Sequence, residues 1–311
     1  MIKYRLLVIL LAFLMLQASA QTRQKPYDNS HYLITDSVLI HYRTWNDDLP
    51  HPKGKVLLIH GFCGATFCWR NSFDTLVRAG YKVVAVDLPG FGYSERSAML
   101  NQSQSYRARL LWDMLTAIDR SDTTKWNIVG HSMGGGAAEA VALTNPARTK
   151  SLTVVAGMVF INNKDINSVV VGLVNTQLYK SLLLIYAEHS YLSFNHFRRE
   201  LKSIYGYQPD TATVNEYLIP MSIDGSAETV INLIANAREI KPLNAEGLNQ
   251  LPVMFIWGKK DRTIRLRNAK KIKRVAPNIE LNVISTAKHI PMETHPHEFN
   301  PVLIDFLNRN N

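Results

Sequence analysis

The stretch Ile128-Val129-Gly130-His131-Ser132-Met133-Gly134-Gly135-Gly136 constrains the fold more than any other part of the chain. An apolar run from Trp126 to Val129 leads into it, with the composition of a buried strand. The pattern Gly-x-Ser-x-Gly then places a serine at the apex of a sharp strand-to-helix turn. Gly130 and Gly134 carry no Cβ, so the incoming strand and the outgoing helix can pass close together. The first N–H groups of that helix point back at the apex, where a developing negative charge is stabilised. A five-residue pattern is weak on its own, so the weight falls on what surrounds it.

Around the turn the chain alternates. Tyr32–Thr35 and Val38–Trp45 read as an antiparallel hairpin. Lys55–His60, Tyr81–Asp87 and Leu152–Gly157 are short apolar runs of the kind buried on both faces of a parallel sheet. Helices are expected between them, at Thr66–Ala79 with Gly80 as its C-cap, and at Ser103–Ile118. The second carries Leu110, Leu111, Met114, Leu115 and Ile118 on one face. The helix after Ser132 ends at Asn145-Pro146. The alternation breaks between Met158 and Ile240, where only apolar helical stretches occur, at Val169–Ala187, Tyr191–Tyr205 and Ala212–Met221. It resumes with Val253–Gly258, a basic helix at Leu266–Val275, a strand at Leu281–Thr286 and a last helix at His297–Asn308. The expected fold class is α/β: a mostly parallel sheet flanked by helices, with a helical cap inserted after the sixth strand. The division is a leader at 1–20, core at 21–157, cap at 158–240 and core again at 241–311. The cap is expected on the carboxyl edge of the sheet, where open α/β sheets bind ligands.

Composition narrows the classes. With 311 residues, 46% of them hydrophobic and 19% charged, the chain can bury a sizeable core and is not a disordered polymer. Lys3 and Arg5, the apolar run Leu6–Leu16 and Ala18-Ser19-Ala20 read as an export signal cleaved after Ala20. The run is shorter than the ~20 residues a membrane span needs. A secreted or periplasmic protein is expected, an uncleaved anchor being the alternative. The net charge of +10 gathers in Lys259, Lys260, Arg262, Arg265, Arg267, Lys270, Lys271, Lys273 and Arg274. No aromatic residues are interleaved there to stack bases, so a solvated helix face is favoured over a nucleic-acid surface. Cys63 and Cys68, the two cysteines, leave a local disulfide open, because geometry decides it.

A serine hydroxyl needs a base to take its proton. Asp261 follows the strand Val253–Gly258, and His289 follows the strand Leu281–Thr286. Both sit at carboxyl ends of expected parallel strands, the edge that carries Ser132, in the chain order Ser, Asp, His. Ser132 is assigned as nucleophile, His289 as base and Asp261 as the group that orients the imidazole. The N–H groups of Phe62 and Met133 are assigned to the oxyanion. Asp165 is the fallback for the acid.

The segments His60-Gly61-Phe62-x-Gly64, Asp87-Leu88-Pro89-Gly90-x-Gly92-x-Ser94, Gly130-His131-Ser132-Met133-Gly134-Gly135, Trp257-Gly258-x-x-Asp261 and His289-x-x-x-Glu293 together resemble the capped branch of the α/β-hydrolase superfamily. The resemblance spans Lys55 to the C-terminus. It implies hydrolytic chemistry without a cofactor. Relatives that dehalogenate alkyl halides or open epoxides carry aspartate at the elbow, so Ser132 argues against both. Lys288 departs from the glycine many relatives place before the histidine, and sets a possible cation beside His289. His60 and His131 match structural positions of the family, and Asp87 is expected to brace its loop. Glu95 reads as a rim charge. Cys63 lacks a base of its own. His289, His295 and His297 have no carboxylate or cysteine cluster to complete a metal site, so no metal is expected.

The expected activity is carboxylic-ester hydrolysis through an acyl-enzyme. Leu182, Leu183, Leu184, Ile185, Tyr186, Tyr191 and Phe194 make the cap apolar and favour a small acyl or aromatic ester as partner, with no nucleic acid. Val169–Ala187 is interrupted by Asn175, Gln177 and Lys180, which favours a cap helix over a membrane-dipping one. The alternatives are cleavage of a carbon–carbon bond in a ring-fission diketone, or of an amide, and a non-catalytic binding protein of the same fold. The export signal weighs against carbon–carbon cleavage, a catabolism that usually runs inside the cell.

Overall fold

The computed structural model describes residues 25–97, 99–119, 125–157, 176–235 and 245–311. In chain order these form β1 (Ser30–Thr35), β2 (Val38–Trp45), β3 (Gly54–Ile59), α1 (Arg70–Arg78), β4 (Tyr81–Val86), α2 (Gln104–Ile118), β5 (Trp126–His131), α3 (Met133–Thr144) and β6 (Thr149–Val155). Then come α4 (Gln177–Tyr186), α5 (Phe194–Tyr205), α6 (Thr211–Met221), α7 (Ser226–Ala235) and α8 (Ala245–Asn249). The chain closes with β7 (Val253–Gly258), α9 (Arg267–Val275), β8 (Glu280–Ile284), α10 (Pro291–Thr294) and α11 (Pro296–Arg309).

The strands make one eight-stranded sheet in the order β1-β2-β4-β3-β5-β6-β7-β8. Asp36 and Ser37, both at positive φ, form the two-residue turn of the β1–β2 hairpin. β2 runs antiparallel to β4, and every pairing from β4 through β3 to β8 is parallel. β3 pairs with β4 on one side and β5 on the other, so the winding direction reverses there. The carboxyl ends of β3 and β5 therefore flank a topological switch point, where open sheets hold ligands. Val56, Leu57, Leu58 and Ile59 of β3 are fully buried, as a strand covered on both faces requires.

The structure refines several expectations. The helix expected over Thr66–Ala79 starts as a 3-10 turn at Thr66–Trp69 before α1. The strand expected over Leu281–Thr286 is found at Glu280–Ile284, as a half-exposed edge strand. The insertion between β6 and β7 is helical in its described residues, with α7 and α8 in addition to the stretches foreseen. Of the stretch Val169–Ala187 residues 176–187 are described; they contain α4, which a π turn at Ala187–Tyr191 prolongs. Ser193 caps α5 by accepting from the His196 N–H, and Asp210 caps α6 by accepting from the Thr213 N–H. Gly206, at φ 92°, ends α5. Cys63 and Cys68 are free buried thiols, so the local disulfide is not formed. The export signal at 1–20 and Asp165 lie outside the described residues. Among those described, no helix is long and apolar enough to cross a membrane.

The elbow is a close crossing of backbones. A Cβ on Gly130 would come 2.1 Å from the carbonyl oxygen of Gly134, and one on Gly134 would come 2.2 Å from that of His60. Backbone atoms cannot swing aside as a side-chain tip can. Gly130→Ala is therefore expected to cost about 3 kcal/mol or more, in the range of severe overpacking. Thermal unfolding checks this, and an unchanged midpoint would contradict the crossing.

Candidate active site

Ser132 follows β5 directly and precedes α3. Its backbone sits at φ 52°, ψ −122°, a region that L-residues avoid and that costs about 1–3 kcal/mol. The sheet and helix hold it there: the Ser132 N–H donates to the Val155 carbonyl at 2.9 Å, and the Gly135 N–H donates to the Ser132 carbonyl at 2.9 Å. The strained turn aims Oγ out of the sheet at its carboxyl edge.

The structure brings the three residues together. His289 Nε2 lies 3.0 Å from Ser132 Oγ, and His289 Nδ1 lies 2.8 Å from Asp261 Oδ2. The other carboxylate oxygen, Oδ1, accepts from the N–H groups of Thr263 and Ile264 at 2.8 and 3.0 Å. Asp261 is thus oriented by its own turn, and the Nδ1–H donated to it leaves Nε2 as the acceptor facing serine. All three side chains are almost completely buried. The loop after β3 reaches the same point: a Cβ on Gly61 would stand 2.9 Å from the Cβ of Ser132. The next residue is Phe62, one of the two expected oxyanion donors. Met133, the other, opens α3, where an N–H has no partner in its own helix.

The neighbouring titratable groups take structural parts. His60 Nδ1–H donates to the Gly61 carbonyl at 2.6 Å, and its Nε2 accepts from the Leu88 N–H at 2.9 Å. His131 Nε2–H donates to the His289 carbonyl at 3.0 Å. Burial lowers the pKa of both imidazoles, for His131 well below the usual value with nearby His289 adding to it. Asp87 braces its loop as expected. Burial alone would raise its pKa, but His41, with its charge and hydrogen bond, and the Tyr93 N–H lower it overall. Lys288 does not face His289; its Nζ donates to the Ser203 carbonyl of α5 at 2.9 Å. Glu95 joins its loop through backbone hydrogen bonds and does not line the cavity at Ser132. Among the described residues no cluster of side chains suits a metal ion.

Two arrangements went unread in the sequence. Ser30 Oγ, His41 Nε2 and His41 Nδ1–Asp87 Oδ2 repeat the relay geometry at 2.8 and 2.7 Å. All three residues are completely buried, so nothing can reach that serine. The second is Glu293, one helical turn beyond His289. Its carboxylate receives Arg70 from α1, Tyr205 from α5 and Tyr217 from α6. Burial raises its pKa against the pull of Arg70 and the phenols. The His289-x-x-x-Glu293 spacing was the available signal, since it sets both side chains near one loop. Carboxyl, guanidinium and phenols together tie the inserted helices to the core beside the base.

A family model described as the alpha/beta hydrolase fold matches residues 55–296. The chain belongs to the α/β-hydrolase fold family. A 2-hydroxy-6-oxononadienedioate/2-hydroxy-6-oxononatrienedioate hydrolase of Paraburkholderia phymatum is 27% identical over 280 residues, 86% of this chain and 90% of that protein. A 2-hydroxy-6-oxo-6-phenylhexa-2,4-dienoate hydrolase of Burkholderia cepacia is 25% identical over 81% of this chain and 87% of its own length. Among solved structures, a membrane phospholipase A described as a bacterial virulence factor superposes with a TM-score of 0.72 at 22% identity, covering both chains completely. That likeness bears on the fold. Within the α/β-hydrolase family, this chain has serine at the elbow and its sheet edge intact.

The depressed histidines predict an acid limb in stability. In the unfolded chain an imidazole gains its proton near about pH 6.5, whereas buried His60 and His131 resist it to lower pH. The unfolded state then binds more protons, so stability is full above that pH and falls below it, by up to about 1.4 kcal/mol per unit for each histidine. His131→Gln keeps an N–H for the His289 carbonyl and removes the titration. Urea unfolding from about pH 7 down to about pH 5 is expected to show a shallower decline in that variant; identical slopes would contradict the assignment.

Proposed function

We propose that this chain is a serine hydrolase in which Ser132 attacks a substrate carbonyl. The observation that supports it is the unbroken run from Ser132 Oγ through His289 to Asp261 at the sheet's switch point. In this reading His289 Nε2 takes the hydroxyl proton as the Oγ–carbon bond forms, and Asp261 steadies the imidazolium. The N–H groups of Phe62 and Met133 receive the negative oxygen. The proton passes from His289 to the departing group, and water then releases the acyl group by the same route. No cofactor enters these steps. The inserted helices act as a cap over the site, and residues 1–20, read from sequence alone, direct the protein out of the cytoplasm. N-terminal sequencing of the exported form is expected to begin at Gln21; an intact Met1 would count against cleavage.

Two bonds suit this machinery. The relatives' names support carbon–carbon hydrolysis, the alternative in the sequence reading, over the ester hydrolysis placed first there. The leaving group would then be a carbon stabilised as an enolate, protonated by His289. The walls of the cavity favour the ester as a second reading. They are mainly apolar and, among the described residues, include no lysine or arginine to meet a substrate carboxylate.

Purified protein is to be assayed on p-nitrophenyl esters and on 2-hydroxy-6-oxo-dienoates. Ser132→Ala is expected to lose turnover of whichever class is accepted, and Asp261→Asn to fall by about 10⁴-fold, since the imidazole then holds the wrong tautomer. Full activity in Ser132→Ala would overturn the reading.

A further inference from the structure

Helix α5 turns one face toward Ser132. His196, Phe197, Glu200, Leu201 and Ile204 recur at helical spacing and line the same cavity as Ser132 and His289. Phe197 and Leu201 are buried and apolar. The two polar members stand one turn apart. His196 Nε2 is buried without a hydrogen-bond partner and belongs to a side chain that lines this cavity. Its ring lies against Tyr191, centroids 4.6 Å apart, but the Tyr191 hydroxyl is already engaged with Cys63. Glu200 lies exposed at the same wall. Arg198, Arg199 and Lys202 of α5 are exposed and do not line the cavity. Lys288 is held by the Ser203 carbonyl.

We propose that His196 and Glu200 form a distal polar subsite that selects the arm of the substrate entering this cavity. The favoured arm is mainly apolar and ends in a hydrogen-bond donor, a hydroxyl or a protonated amine. An arm ending in a carboxylate is disfavoured, because it meets Glu200 with like charge and no lysine or arginine among the described residues lines the cavity to compensate. The apolar length packs on Phe197 and Leu201. The subsite rests on the serine-hydrolase reading but holds for either bond, since it concerns the arm and not the leaving group.

The test uses p-nitrophenyl alkylphosphonates of equal length ending in methyl, hydroxyl, ammonium or carboxylate. Ser132 Oγ bonds to phosphorus, the phosphorus–aryloxide bond breaks, p-nitrophenolate departs, and the serine proton goes to His289. Rates of p-nitrophenolate release are compared at high salt, which screens the long-range field of the basic surface, and mass gain is located at Ser132. The hydroxyl and ammonium probes are expected to react at least about tenfold faster than the carboxylate probe, a difference of about 1.4 kcal/mol. Glu200→Lys is expected to invert the order of ammonium and carboxylate, Glu200→Gln to shrink the gap, and His196→Phe to abolish the advantage of hydroxyl over methyl. Equal rates for ammonium and carboxylate in the unaltered protein, or a ratio unmoved in Glu200→Lys, would overturn the subsite while labelling at Ser132 upheld the hydrolase. Silence of every probe on folded protein would overturn both.

Discussion

The site depends on one backbone crossing. β5 and α3 approach so closely at Gly130, and α3 and the end of β3 at Gly134, that no side chain fits at either position. That approach holds Ser132 at positive φ, with the sheet hydrogen bond to Val155 closing the turn. A serine in ordinary helix or strand would have its hydroxyl along the element's surface. Here the strain of the turn, about 1–3 kcal/mol, is offset by strands buried on both faces and directs the hydroxyl to the place where His289 arrives from the end of β8, three strands along the sheet.

A second constraint fixes the inserted helices. Glu293 is buried with Arg70, Tyr205 and Tyr217, so helices α5 and α6 are fixed to the segment that carries His289. The His289 N–H also donates to the Ile204 carbonyl at 3.3 Å. Removing Arg70 would leave the Glu293 carboxylate buried without its cation, a loss of about 3–5 kcal/mol. Helices α5 and α6 and the segment that carries the base are therefore tied to the same carboxylate.

Much of this was legible in the chain. The elbow, the alternation of apolar runs and helical faces, and Asp261 and His289 at strand ends follow from local periodicity and short spacing, which survive without tertiary information. What escaped reading depends on contacts between distant segments. Ser30, His41 and Asp87 come from three places and build a relay that looks chemical but is sealed. The composition of a triad thus says less than its access to solvent and to oxyanion donors. Glu293 was visible as a motif residue, but Tyr205 and Tyr217 reach it through the way the insertion folds back, and Arg70 from distant α1. The helical face of α5 could be drawn from spacing, yet which face meets Ser132 is decided only by packing. Lys288 shows the reverse: a cation next to the base in sequence is turned away to a helix carbonyl.

The most direct test of the account is rapid-quench mass measurement after mixing the protein with p-nitrophenyl acetate. The account predicts a burst of p-nitrophenolate together with an acetyl group on the peptide containing Ser132. Acetylation confined to another residue, or turnover with no acyl-serine formed, would contradict it.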